Sequence, residues 1–158
     1  MIRINNIKAQ SHWKSPIYGY QIEVPNGFKR TEAIGINVDF KAVKGSNSIV
    51  VVIKTIPDEY APYNIWELMG DLETFGSDWE NGAREYMNSP KFLKYGKTKI
   101  DNYDAFWYDY TTENPKLYSK TYQTQKGNKI YTITLSSGFD DYNFYSSIWY
   151  RFKEQIKL

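Results

Sequence analysis

The sequence has no cysteine, a single histidine, and four arginines against sixteen lysines. Without cysteine there can be no disulfide, thiolate nucleophile, iron–sulfur cluster or cysteine-ligated zinc. A Ser-His-Asp triad or an imidazole metal site would rest on His12 alone, in a stretch with no regular pattern. None of the ten glycines builds a dinucleotide-binding G-x-G-x-x-G, a P-loop or a nucleophile elbow. N-x-S/T sequons are absent as well. No apolar run approaches the ~18 residues needed to cross a bilayer as a helix. Residues 1–16 lack the apolar stretch of a signal peptide. They read as an irregular leader or vector-derived remnant, with Lys8-Ala9-Gln10-Ser11 resembling the end of a cleaved leader. That reading points to an exported domain, periplasmic or secreted, over residues 17–158.

What is present is an aromatic chain. Ile, Leu and Val together supply 28 residues, and Phe, Trp and Tyr also supply 28. With 24% charged residues and a net charge of +2, this composition excludes intrinsic disorder and fits one folded domain in 158 residues. The excess of Lys, Asn, Ile and Tyr is also what an A+T-rich coding sequence produces.

Period-2 alternation dominates. Tyr18, Tyr20, Ile22 and Val24 share a strand face before Pro25-Asn26-Gly27, and Ile34, Ile36, Val38 and Phe40 repeat the pattern. Ser48–Ile56 is apolar on both faces, as a central strand requires. Phe92–Ile100 and Tyr103–Thr112 flank the turn pair Asp101-Asn102, and Leu117–Gln125 and Lys129–Ser136 flank Lys126-Gly127-Asn128. Between the two groups lie two predicted helices. Asn64 with Glu67 forms a capping box before the stripe Ile65, Leu68, Met69, Leu72, Phe75, which Gly76 ends. Ser77 with Glu80 forms a second box before Trp79, Ala83, Tyr86 and Met87. A last helix spans 141–157, with Tyr145, Ile148, Trp149, Phe152 and Ile156 on one face. Because Ala105 and Trp107 oppose Phe106, Tyr108 and Tyr110, the strand they share must be covered on both sides. The expected fold is therefore α+β: a three-layer α/β/α sandwich around an antiparallel sheet of six or seven strands. The stripes send Trp79, Tyr86, Trp149, Phe152, Tyr18 and Tyr20 to its core.

Few residues point to chemistry. Asp101, Asn102 and Asp104 superficially suggest calcium but lack the glycine and distal glutamate of an EF-hand loop, and they fit a hairpin turn. Asp109, among Trp and Tyr, is a candidate general acid for a small carboxylate hydrolase with an aromatic cleft; the competing reading pairs it with a lysine on the next strand. Lys91, Lys94, Lys97 and Lys99 could face nucleic acid, but with so little arginine they read as guards on a sheet edge, and nucleic acid is not expected as a partner. Exposed coplanar rings would instead suit a glycan. The charge is unevenly placed: residues 1–57 carry +5, 58–90 carry −7 and 91–158 carry +4. The predicted helical pair is thus an acidic patch, with Glu67, Asp71 and Glu73 off the apolar stripe and Trp66 on its flank. These four residues are the expected surface for a protein or peptide partner. Internal complementarity with basic strand edges would use the same charges.

The run Tyr20-Gln21-Ile22-Glu23-Val24-Pro25-Asn26-Gly27-Phe28 resembles the opening of Mog1/PsbP-like domains. Ile100-Asp101-Asn102-Tyr103-Asp104-Ala105-Phe106-Trp107 is similar to their mid-chain hairpin, with Asn102 where glycine is usual. Tyr131-Thr132-Ile133-Thr134 and the amphipathic end complete a likeness over 17–157. It implies the α/β/α sandwich and a non-catalytic binding or accessory role without a cofactor, as in many exported bacterial proteins. It transfers no site residue, because the family's branches bind different things.

Overall fold

The computed structural model describes residues 11–158. Residues 1–10, including Lys8, Ala9 and Gln10 of the leader-like stretch, lie outside the described residues. A seven-stranded antiparallel sheet has the order β3-β4-β5-β9-β8-β7-β6, and a second sheet the order β1-β2-β10. In the large sheet β3 is Lys29–Arg30, β4 Val38–Lys44, β5 Asn47–Thr55, β6 Lys91–Ile100, β7 Tyr103–Thr112, β8 Leu117–Lys126 and β9 Lys129–Gly138. The small sheet joins β1 (Ser11–Lys14), β2 (Gln21–Val24) and β10 (Ile156–Lys157). Three helices, α1 (Ile65–Leu68), α2 (Leu72–Ala83) and α3 (Tyr142–Arg151), complete the α+β fold.

Alternation along β7 divides the core. On one face Ala105 joins Tyr122, Tyr131, Ile133, Leu135, Ile49, Val51, Ile53 and Phe40 beneath α3 and the small sheet. Trp149 anchors that layer: its Nε1 donates to Ser137 Oγ at 2.8 Å and its ring stacks on Tyr145. On the other face Phe106, Tyr108 and Tyr110 pack with Ile65 beneath α1 and α2. This helical layer ends over β8. Beyond it Thr132 and Thr134 of β9 and Val50 and Val52 of β5 are partly exposed. Across β8 and β9 this face carries a polar ladder, Ser119–Ser136, Thr121–Thr134 and Gln123–Thr132.

Several boundaries differ from the sequence reading. Ser11–Lys14, placed in the irregular leader, is a strand against β2, with Trp13 packed on Phe40 and Tyr20. Ile34 and Ile36 do not continue β4; they are 76% and 89% exposed in a loop where Gly35 and Asn37 adopt positive φ. The first helical break falls at Gly70 (φ +74), and α2 runs through Gly76 and Ser77. Asp71 caps α2 by accepting from Glu73 N, whereas Ser77 Oγ donates back to Thr74 O. The last helix stops at Arg151; a 3₁₀ turn then brings β-branched Ile156 opposite Ile22. Tyr86 is 71% exposed, beyond the end of α2, and is not a core residue.

Candidate functional site

The four residues of the expected partner surface have distinct placements. Trp66 is partly buried; its Nε1 donates to Ala105 O at 2.7 Å and so pins α1 to β7. Lys97 and Lys99 of β6 hold their ammonium groups 5.2 and 6.0 Å from its ring centre. Glu67 closes the predicted capping box, accepting from Asn64 N while its own amide donates to Asn64 Oδ1. Asp71 is the α2 cap, and Glu73, two residues on, is exposed.

Glu73 lines a groove of about 470 Å³ between α2 and β6, together with Leu72, Gly76, Ser77, Phe92, Leu93, Lys94 and Tyr95. Because β6 ends the sheet order, one wall of this groove is a sheet edge. Gly76 sets its depth. A Cβ there would lie 2.7 Å from Phe92 Cδ1, so the helix backbone rests directly on the ring. Phe75, Phe92, Trp79, Phe106 and Tyr108 form a continuous cluster under the floor, with Phe75 edge-to-face on Phe92, Phe106 and Tyr108 and with Phe92 stacked on Tyr108. Leu93 and Tyr95 remain 39% and 41% exposed at the mouth. Glu80 seals one end of the edge: its Oε2 accepts from Phe92 N at 2.8 Å while Oε1 pairs with Arg84. A bulge between Phe92 and Lys94 and the row of lysines guard the rest of β6 against unselective strand pairing. The sequence contained the groove's side chains, but the assignment of Gly76 as a helix stop concealed it.

Asp109 sits on the opposite face, 2% exposed, directly across from Lys120 in the β7–β8 register. Lys120 Nζ lies 2.7 Å from Asp109 Oδ1 and 3.9 Å from the Trp107 ring centre. Exposed Lys94 stands 4.0 Å from Asp109 Oδ2. Burial lowers the Lys120 pKa, and the Asp109 carboxylate opposes that shift. Desolvation raises the Tyr118 pKa, and the neighbouring Tyr142 and Asp109 side chains raise it further. This is the strand-neighbour pairing, a carboxylate held by a cation. Among the described residues no ion pair or hydrogen bond joins Asp109 to a second carboxylate.

Asp101 and Asn102 adopt φ of +48 and +69, the two consecutive positive values of a tight hairpin turn. Asp104 is engaged by Lys99 at 3.0 Å and Asn64 Nδ2 at 3.2 Å. Among the described residues no cluster of three His, Asp or Glu side chains is placed to hold a metal ion. His12 is exposed on β1, across from Glu23. Of the exposed rings, Tyr60 and Tyr63 share the stretch before α1, Tyr86 follows α2, Tyr95 lies on β6, and Phe139, Phe144 and Tyr150 lie on and just before α3. No described helix is long and apolar enough to cross a membrane.

No protein-family model matches the sequence, and no curated protein matches it. Solved structures do match in shape. Cyanobacterial PsbP (CyanoP) from Synechocystis sp. PCC 6803 superposes with a TM-score of 0.74 at 15% identity, over 100% of this chain and 97% of that one. LpqN of Mycobacterium tuberculosis, described as involved in cell envelope biogenesis, gives 0.57 at 10% identity over 88% and 82%. At such identities the likeness concerns shape, and with the sheet order and helix placement above it supports one assignment. The chain has the PsbP/Mog1-like fold.

Proposed function

We propose that the protein is a non-catalytic accessory module that binds an amphipathic segment of a protein partner in the groove between α2 and β6. The groove itself is the observation that carries this reading. Its floor is aromatic, its mouth exposes Leu93 and Tyr95, and its α2 wall carries the charge of Glu73, while the Lys94 ammonium turns to Asp109 on the other face of the sheet. A segment with apolar side chains in the groove and a basic residue toward Glu73 satisfies these features. The acidic residues of 58–90 extend the attraction for basic groups along the helical wall. Trp66 and Glu67 then support the surface by fixing α1, while Asp71 and Glu73 present its charge. The pairing of Asp109 with Lys120 argues against the hydrolase alternative, which needs a carboxylate free to exchange a proton.

Selection of displayed random peptides against the immobilised protein tests this reading. Enriched peptides are expected to be amphipathic and to bind Leu93→Glu at least roughly tenfold more weakly, as the loss of a buried contact implies. Glu73→Lys is expected to reverse the preference for a basic residue. Peptides that bind both variants as well as the parent protein would show that the groove is not the site.

A further inference from the structure

At the far corner of the molecule from this groove, two loops carry three isoleucines with almost no cover. Ile17 is 74% exposed, Ile34 76% and Ile36 89%. Their backbones are firmly held. In the turn after β1, Ser15 Oγ accepts from Tyr18 N, and Gly19 N donates to Ser15 O. The loop before β4 is tied at one end by Thr31 N to Lys41 O and at the other by Asn37 O, which accepts from Ile53 N at 2.9 Å. Asp39 joins the two loops: one carboxylate oxygen accepts from Ser15 Oγ and Tyr20 Oη, each at 2.8 Å. Positive φ at Gly35 and Asn37, on either side of Ile36, turns that side chain outward.

An isoleucine at a fixed loop tip gains nothing for folding by standing in water, so this arrangement is not explained by packing. Lys14 begins the first loop, Arg30 precedes the second with its guanidinium 5.0 Å from the Trp13 ring centre, and Lys54 follows Ile53; all three are exposed. Glu32 is the exposed acid of the second loop, and the Asp39 carboxylate is occupied by two hydroxyls. The geometry points to docking on an anionic lipid surface: Ile17, Ile34 and Ile36 insert into the acyl boundary while Lys14, Arg30 and Lys54 meet the headgroups. Projecting apolar points between cations suit a deformable, negatively charged plane. This surface is separate from the peptide groove, and its test does not depend on that reading.

The experiment is co-sedimentation of the full chain with vesicles of phosphatidylcholine alone or with one quarter phosphatidylglycerol. Binding is expected to the anionic vesicles, weakened by salt. Ile17→Ser/Ile34→Ser/Ile36→Ser is expected to cut it by roughly tenfold or more, since burial of three aliphatic side chains is lost. All three residues are exposed, so the thermal midpoint should be unchanged and serves as the folding control. In Ile36→Trp the new indole should shift its emission to the blue on adding anionic vesicles. Three results would overturn the inference: no sedimentation with anionic vesicles, binding that the triple substitution leaves intact, or self-association of the parent chain without lipid that the same substitution abolishes.

Discussion

The two faces of the large sheet are closed in different ways. Under α3 and the small sheet, aliphatic residues from β2, β4, β5, β6, β7, β9 and β10 mix with buried rings, and Tyr20, Ile22, Trp149 and Phe152 are at most 1% exposed. Under α1 and α2 the covering side chains Trp66, Met69, Leu72, Phe75, Trp79 and Met87 are each partly exposed, and rings dominate. The first layer is a packed core; the second is a lid seated on an aromatic floor. On the proposed reading the difference separates stability from recognition, because a surface that is to accept another chain cannot be fully closed beforehand.

Alkaline pH should expose the contrast most strongly. Tyr20, Tyr118, Tyr122 and Tyr131 on the α3 side, and Tyr108 and Tyr110 under α2, all have pKa values raised by burial. Tyr20 is raised further by its bond to Asp39. Since the unfolded phenols ionise near ~10, the stability they represent is complete below that pH and is lost as pH rises above it. Lys120, lowered by burial, works in the opposite sense but is one group against six. Ultraviolet titration of tyrosinate should show Tyr108 and Tyr110 ionising ahead of the others as the lid opens. A single step for all six would erase the distinction between the faces.

Substitutions grade the same comparison. Trp149→Ala should cost about 3–5 kcal/mol and destabilise the whole domain in denaturant titration. Lys120→Met removes the buried cation of Asp109 and leaves it only exposed Lys94 at 4.0 Å, at about 3 kcal/mol, and a second change, Asp109→Leu, should recover much of that loss. Gly76→Ala pushes α2 off Phe92 at about 1–2 kcal/mol. Hydrogen exchange should quicken in α2 while β5 and β9 stay protected. Trp66→Phe removes the bond to Ala105 O, costs about 1 kcal/mol and should be felt in α1 alone.

The sheet was legible because alternation survives translation into structure: β5, β7, β8 and β9 lie where the period-2 pattern placed them. Both capping residues of the lid, Asn64 and Asp71, are ordinary cap types, yet the helical break falls at Gly70 and not at Gly76, where it was expected. Either glycine can end a helix, and only the approach of Phe92 distinguishes them. The short strands β1 and β10 carry too few residues for periodicity, and what makes them strands is β2 lying between them. Ile34 and Ile36 continue the alternation of β4 in sequence, but two positive φ values remove them from it. The groove was partly legible through Glu73. Its other wall came from β6, whose lysines had suggested a solvated edge.

The carboxylate of Glu80 offers one more consequence. By accepting from Phe92 N it makes that amide proton a reporter seated at the end of the groove. Its chemical shift depends on the strength of the bond. A ligand that moves α2 relative to β6 by a few tenths of an ångström would therefore register at Phe92 in a nitrogen–proton spectrum. On the proposed reading the Phe92 amide is a gauge of groove occupancy that needs isotopic nitrogen but no attached dye.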